Sequence, residues 1–436
     1  ISSGGFVLAL FLLLRGYRHG SRGLVLAGWL VSAWQVSLGF TLGLQYTYLL
    51  LVLALLVLFF WWRGRLTFGA AQGEPEERPA GSRGPLIPRR LLAVTLIGIA
   101  VLGAVTVYQA RPYLKVANEY PTAKRTLKEV ETYSAGPAAF LSASSENRVW
   151  GKATEGMRAK VNSKNESVFF PGGAILVLAL IGLAAGVYTR RLRLALLAGI
   201  VVCSILALGF GITGAGYPYR LLYDYAPGWD GVRVPGRVFT LATLFYALLA
   251  GAGAQWLIDR ARAWSKRPLH ALPAVVGVVL VIGIVGEGAG HLGHPVVPQP
   301  ARAEVGLPGP LLDLPTDGAL DRISQYFSTD GFYKIPVGNS TFDMPQVDDL
   351  RGGMNGFPDR ASVEKLRYYG IRTVVLHTVA PKGLPPEHGH VLPNPPDPAA
   401  AAAKPIAGLG ITRRRVGSLV IYEIGPGPKA LHQTGR

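Results

Sequence analysis

Two arginines four residues apart, Arg233 and Arg237, carry the clearest chemical potential in this chain of 436 residues. They stand in the run Gly228-Trp229-Asp230-Gly231-Val232-Arg233-Val234-Pro235-Gly236-Arg237, shortly after Tyr217, Tyr219 and Tyr223, at the entrance to a long apolar stretch. A guanidinium in that position grips a phosphate with two parallel N–H donors, and aromatic rings beside it sit at headgroup depth. The pattern predicts recognition of a lipid-linked phosphate at a membrane surface, with Arg233, Arg237 and Tyr219 as contacts. The competing reading makes the two arginines snorkelling headgroup anchors, or ion-pair partners of Asp224 and Asp230.

A second group lies upstream, in Asn147-Arg148-Val149-Trp150-Gly151 and Glu166-Ser167-Val168-Phe169-Phe170-Pro171-Gly172. Glu166 is a carboxylate at a membrane boundary, with Phe169 and Phe170 as an interfacial belt. It suits a general base or the binding of a sugar hydroxyl. It equally suits a helix cap, since a carboxylate near a helix start stabilises the positive end.

Other patterns carry less. Gly209-Phe210-Gly211-Ile212-Thr213-Gly214 fits a dinucleotide fingerprint but ends an apolar run rather than following a strand. The glycine pairs Gly182/Gly186 and Gly286/Gly290 read as close helix packing. His291 with His294, and His388 with His390, lack a third ligand, so no metal is expected. Asp348-Asp349 reads as a solvated turn, and no cofactor is called for. Glu287, near the outer end of the last apolar run, is the one intramembrane carboxylate that merits a mutation. Cys203 is the single cysteine, so no intramolecular disulfide forms.

These residues must be positioned by eight apolar runs, at 5–14, 23–43, 46–62, 91–108, 171–188, 194–213, 237–257 and 271–290. Most approach the ~20 residues a helix needs to cross a bilayer. The gaps holding Arg15 to Arg22, Arg63 to Arg90, Arg190 to Arg193 and Arg260 to Arg267 alternate with arginine-poor ones. By the positive-inside rule the arginine-rich gaps are cytoplasmic. The loop near Gln45, segment 109–170, loop 214–236 and everything after 291 then lie outside. The expected fold is an α-helical polytopic membrane protein of about eight transmembrane helices with a small extracytoplasmic α/β C-terminal domain.

Its parts are four helices over 1–108 with a cytoplasmic linker at 63–90, a loop domain at 109–170, four helices over 171–291, and the tail at 292–436. Within the tail, strands are expected at 310–314, 373–377 and 416–424, helices at 319–327 and 361–369, and a loop at 395–405. Hydrophobic residues make up 50% and charged residues 16%, with a mean hydropathy of +0.30. The net charge of +18 is concentrated beside the apolar runs, where anionic membrane lipids are the natural partner. That excludes nucleic acid as the reading of the charge. A transporter would need charge at mid-depth, which the runs lack.

Several short motifs resemble one family. Pro112-Tyr113, Tyr133-Ser134, Asn147 to Gly151, Glu166 to Gly172, Pro218-Tyr219 and Arg233 to Arg237 are similar to bacterial GT-C-type glycosyltransferase-like membrane proteins of the YfhO-like group. In the tail, Leu311 to Pro315, Met354 to Pro358 and Gly370 to His377 resemble that family's external domain. The resemblance runs from about Pro88 onward.

It implies transfer of a sugar from a polyprenyl-phosphate donor on the outer face of the bacterial plasma membrane. Arg233 and Arg237 would hold the donor phosphate, and Glu166 with Asn147 would line the acceptor cleft. In that family the catalytic acid lies in a first external loop. The chain opens on Ile1 and a short apolar run, so it is expected to be the C-terminal portion of a longer protein, with that loop upstream. The catalytic residue is therefore unassigned. A non-catalytic scaffold of envelope assembly is the alternative.

Overall fold

The computed structural model describes residues 3–63, 86–120, 124–211, 217–264, 271–291, 293, 299, 303–317, 320–338, 344–379 and 394–425. Most of the expected linker, and Gly214, His294, His388 and His390, lie outside the described residues. The chain divides into two compact units, Ile1–Leu292 and Gly293–Arg436.

The first unit is helical. Its apolar helices are α1 (Gly4–His19), α2 (Arg22–Ser37), α3 (Phe40–Trp62) and α4 (Arg89–Glu119). Between the two halves come the short α5 (Leu127–Thr132) and α6 (Glu155–Arg158). Then follow α7 (Gly173–Ala184), α8 (Arg190–Ala207), the short α9 (Tyr219–Tyr225), α10 (Phe239–Trp264) and α11 (Leu272–Glu287). Among the described residues, three stretches are long and apolar enough to cross a membrane: Thr41–Trp62, Arg89–Glu119 and Pro235–Trp264, with mean hydropathies of 2.2, 2.4 and 1.6. The first, of 22 residues, is ~33 Å long at ~1.5 Å per residue, against a hydrocarbon core of ~30 Å. Gly173–Ala184 and Leu272–Glu287 are apolar but shorter. Large apolar side chains such as Leu51, Leu55, Leu96, Ile282 and Val285 face outward, as a lipid-facing surface requires.

Several boundaries differ from the sequence expectation. The run 23–43 is broken at Leu38–Gly39, where the chain leaves α2 and re-enters a helix as α3. Gly43 makes this tight reversal possible: a Cβ there would lie 2.9 Å from the Val36 carbonyl oxygen. Gln45, expected in a loop, is instead 1% exposed inside α3. α4 continues to Glu119 through Pro112, so residues 109–119 belong to a helix rather than to the loop domain. Local signals close other ends: Ser21 caps α2 and Thr189 caps α8 through their hydroxyls. Gly20, at φ 63°, ends α1 in the left-handed conformation that glycine adopts without penalty.

α7 and α10 pack closely through Gly182 and Gly253. A Cβ on either glycine would collide with the other helix's backbone, at Leu249 O and Leu178 O respectively. Close packing is thus correct for Gly182, but its partner is Gly253 across the interface. Gly186 lies beyond α7, and a Cβ on it or on Gly286, within α11, would meet only open space.

The second unit is a four-stranded sheet in the order β1 (Leu311–Leu314), β2 (Thr373–His377), β4 (Leu419–Ile424), β3 (Ile411–Val416). β1 and β2 are parallel, and β4 is antiparallel to both β2 and β3. Between β1 and β2 run α12 (Leu320–Phe327), α13 (Pro345–Gly353) and α14 (Arg360–Tyr368). A reciprocal capping box starts α14: Ser362 N–H donates to Asp359 Oδ1 at 2.8 Å, and Asp359 N–H donates to Ser362 Oγ at 3.0 Å. Leu312, Leu314, Val374, Leu376 and Tyr422 form the core on one sheet face. Leu311, Val375, Leu419 and Ile421 line the other.

Three tail expectations need correction. The expected strand at 416–424 is present as β4 but starts at Leu419; Gly417 and Ser418 are the turn of a hairpin whose first arm, β3, was not expected. The expected loop at 395–405 contains a helix, α15 (Pro398–Ala403), capped by Asp397, whose Oδ1 accepts Ala400 N–H at 2.9 Å. Asp348 and Asp349 lie in α13 rather than in a solvated turn, and Asp349 pairs with Lys365 at 2.6 Å.

Candidate functional site

At one end of the helices of the first unit, segment 124–172 meets segment 217–238. Phe210 N–H donates to Ser134 Oγ at 2.9 Å, and Arg125 N–H donates to Asp230 O at 3.2 Å. The Tyr223 hydroxyl donates to Arg125 O. Phe169 stacks on Phe239 at 4.8 Å and packs against Phe140 at 5.5 Å. Phe169 is thus a core residue, not part of an interfacial belt. Gly236 lies against its ring, where a Cβ would come within 2.8 Å of Phe169 Cζ.

This packing brings Glu166 to Arg237. Arg237 Nη2 donates to Glu166 Oε1 at 2.7 Å, and Nε donates to Oε2 at 3.3 Å, with each side chain about 30% exposed (30% and 31%). The fork expected to face a phosphate faces a carboxylate instead, and Glu166 caps no helix. Neither expected aspartate takes part: Asp224 binds Arg220 at 2.7 Å.

Arg233 is placed differently. Its guanidinium lies 4.8 Å from the centre of the Tyr133 ring, a cation–π contact that holds the group without neutralising it. It is half-buried, and among the described residues no carboxylate pairs with it. A cation fixed by an aromatic face, with its N–H donors unclaimed by acid, is equipped to bind an oxyanion.

Tyr219 is fully buried between Phe210 and Trp229, edge-to-face at 5.7 and 5.9 Å. Burial pushes its phenol up, and among the described residues the hydroxyl has no hydrogen-bond partner. It serves the core and does not reach a ligand. Asn147 serves the fold too. Its Oδ1 accepts Val149 and Trp150 N–H at 3.0 and 2.7 Å, and its Nδ2 donates to Glu287 O at 2.8 Å. Of the five expected site residues, Glu166 and Arg237 pair with each other, Tyr219 and Asn147 serve the fold, and Arg233 keeps its charge unpaired among the described residues.

No family model matches the chain, and neither does any curated protein or solved structure.

Two residues that matter were not singled out for these roles. Tyr133, the platform for Arg233, sits in the C-terminal turn after α5. Glu287 accepts Gly173 N–H at 2.5 Å, Ala174 N–H at 2.8 Å and the Trp150 indole N–H. The sequence held a signal for Glu287: α7 begins at Gly172-Gly173 with no capping side chain of its own, so its amides must be satisfied from elsewhere. Among the described residues, no three His, Cys, Asp or Glu side chains come together to hold a metal.

Proposed function

We propose that this chain is a multi-pass membrane protein that binds a lipid-linked phosphate at Arg233. Its setting is a GT-C-like glycosyltransferase of the bacterial plasma membrane, moving a sugar from a polyprenyl-phosphate donor to an envelope glycan or lipid. All eight apolar helices serve as spans, and residues 292–436 lie on the outer face. The partition of contacts supports this topology. Segment 124–172 touches both segment 217–238 and the end of α11, and all three are assigned outside by arginine alternation. Arg22 and Arg90, both assigned to the cytoplasmic side, also meet, with Arg22 Nε donating to Arg90 O at 3.0 Å.

The binding reading is carried by Arg233 itself, stacked on Tyr133 with its charge unpaired among the described residues. The transfer chemistry rests on the family resemblance, and no residue here is assigned as the base. One observation favours a second reading, a non-catalytic scaffold of envelope assembly: Glu166 and Asn147, the candidates for acceptor chemistry, are engaged in holding the fold.

The test is binding and sugar transfer by the protein in lipid nanodiscs, with polyprenyl-phosphate sugars, plain anionic lipid and inorganic phosphate as alternatives. Charge-assisted contacts of ~1.5–3 kcal/mol predict that Arg233→Ala weakens binding about 10- to 100-fold. Transfer lost together with binding identifies the enzyme, and binding without transfer for any donor identifies the scaffold. Equal affinity in wild type and Arg233→Ala sinks both readings.

A further inference from the structure

The second unit holds a buried titratable cluster that the proposed function does not use. Nε2 of His377, at the end of β2, lies 3.2 Å from Asp313 Oδ1 on β1 and 3.7 Å from Glu304 Oε1. The side chains are 12%, 8% and 4% exposed in that order. Asp313 Oδ2 is buried with no hydrogen-bond partner among the described residues, and Asp313 and His377 border a small cavity beneath α12.

The two carboxylate contacts differ in kind. At 3.2 Å the Asp313 contact is within hydrogen-bond reach, and a neutral imidazole carrying its proton on Nε2 still donates to it. At 3.7 Å the Glu304 contact is too long for a hydrogen bond. Only charge holds His377 to Glu304, and that attraction vanishes when the ring loses its proton.

What Glu304 anchors is the segment around it. Ala303 and Leu307 pack with Tyr333 over Leu311, Val375, Leu419 and Ile421. The downstream end is fixed separately, because Thr373 Oγ1 donates to Pro308 O at 2.7 Å. We propose that His377 is the proton-operated end of a latch that fastens residues 303–307 over this sheet face through Glu304, with the chain at Pro308 as the hinge.

Burial alone would lower the imidazole's affinity for a proton. The Asp313 hydrogen bond and the charges of Asp313 and Glu304 outweigh burial and hold His377 above its ordinary value of 6.5. Facing the cluster from its own segment is Tyr333, whose phenol is raised by burial and by the same two carboxylates. From α12 the cavity receives Leu320, Ile323, Ser324 and Phe327, none of them titratable. β4 sets Leu419 opposite His377. A base with a raised pKa in the closed form contributes its full hold below the open-form value, and the hold is lost as pH rises through the closed-form value. Each unit of separation between the two values is worth about tenfold in the closed-to-open ratio.

The experiment is hydrogen exchange by mass spectrometry on the whole protein in nanodiscs from about pH 6 to 9, each rate divided by the unstructured rate at that pH. Residues 303–307 are expected to lose protection about threefold or more across this range, while β2 and β4 keep theirs. Glu304→Gln is expected to flatten the dependence. In wild type, a 13C-histidine titration assigns the His377 midpoint, which must coincide with the loss of protection. Flat wild-type protection at 303–307, an unchanged dependence in Glu304→Gln, or midpoints more than about one pH unit apart each overturns the latch.

Discussion

Glu287, the last residue of α11, closes the start of α7 by accepting Gly173 N–H at 2.5 Å. The same carboxylate takes Ala174 N–H at 2.8 Å and the Trp150 indole N–H. A helix that begins on two glycines has no side chain of its own to satisfy its first amides. A carboxylate from elsewhere does so and also meets the positive end of the helix dipole. Three separate parts of the first unit are tied at one group. The carboxylate expected to lie within the membrane and to merit a mutation is a cap delivered from another helix.

Glu287→Ala should therefore destabilise the first unit by about 2 kcal/mol, roughly a cap plus one side-chain hydrogen bond. Glu287→Gln keeps one acceptor and should lose about half as much. Thermal unfolding in detergent, followed by Trp150 fluorescence, checks both. A full-strength unfolding transition in Glu287→Ala would mean that α7 is capped by other groups.

The Gly182–Gly253 crossing makes a sharper demand. A methyl group on Gly182 meets the Leu249 carbonyl oxygen, which cannot move without shifting α10. Gly182→Ala is expected to cost about 1–3 kcal/mol through overpacking, and Gly182→Leu more. Gly186→Ala, with nothing near its added carbon, should leave stability unchanged within about 0.5 kcal/mol. Equal losses at the two glycines would show that the crossing does not set the effect.

In the second unit, Arg351 holds the buried Asp321 through Nη2 and Nε at 2.7 and 2.9 Å. Asp321 also accepts the Thr316 hydroxyl at 2.8 Å. Arg351→Leu strands a carboxylate that is 1% exposed, which should cost about 3–5 kcal/mol. Combining it with Asp321→Leu should recover at least about 2 kcal/mol, because the stranded charge is gone. Chemical denaturation of the three variants reads this directly. A double variant no better than Arg351→Leu alone would place the loss in packing rather than charge.

What the sequence made legible follows from the range over which each signal acts. The apolar runs persist over many residues, so each overlaps a helix among the described residues, although the run 23–43 breaks at Leu38–Gly39, and β2 was read to the residue. β3 was missed because Thr412, Arg413, Arg414 and Arg415 are exposed on an edge strand, with no alternation to mark it. α15 was missed because a proline- and alanine-rich run looked like a loop, although Asp397 and Pro398 are a cap and a first-turn residue. The site was least legible. Glu166 and Arg237 are 71 residues apart, and no periodicity connects a carboxylate to a guanidinium over that distance.

The pairing of Arg237 with Glu166 can be separated from ligand binding by a double-mutant cycle. Each side chain is about a third exposed (30% and 31%), so solvent screens the pair and its coupling should be about 1 kcal/mol. If the pair is structural, Arg237→Ala and Glu166→Gln should each lower the unfolding midpoint slightly. Both should then leave phosphate-lipid affinity within about threefold of wild type, far less than the effect of Arg233→Ala. If Arg237 is instead a phosphate contact held in reserve by Glu166, then Glu166→Gln should free the fork and tighten binding, and Arg237→Ala should abolish that gain. Affinity measured in nanodiscs for the two single variants and the double variant decides between these outcomes, since only the second predicts that the two substitutions act in opposite directions.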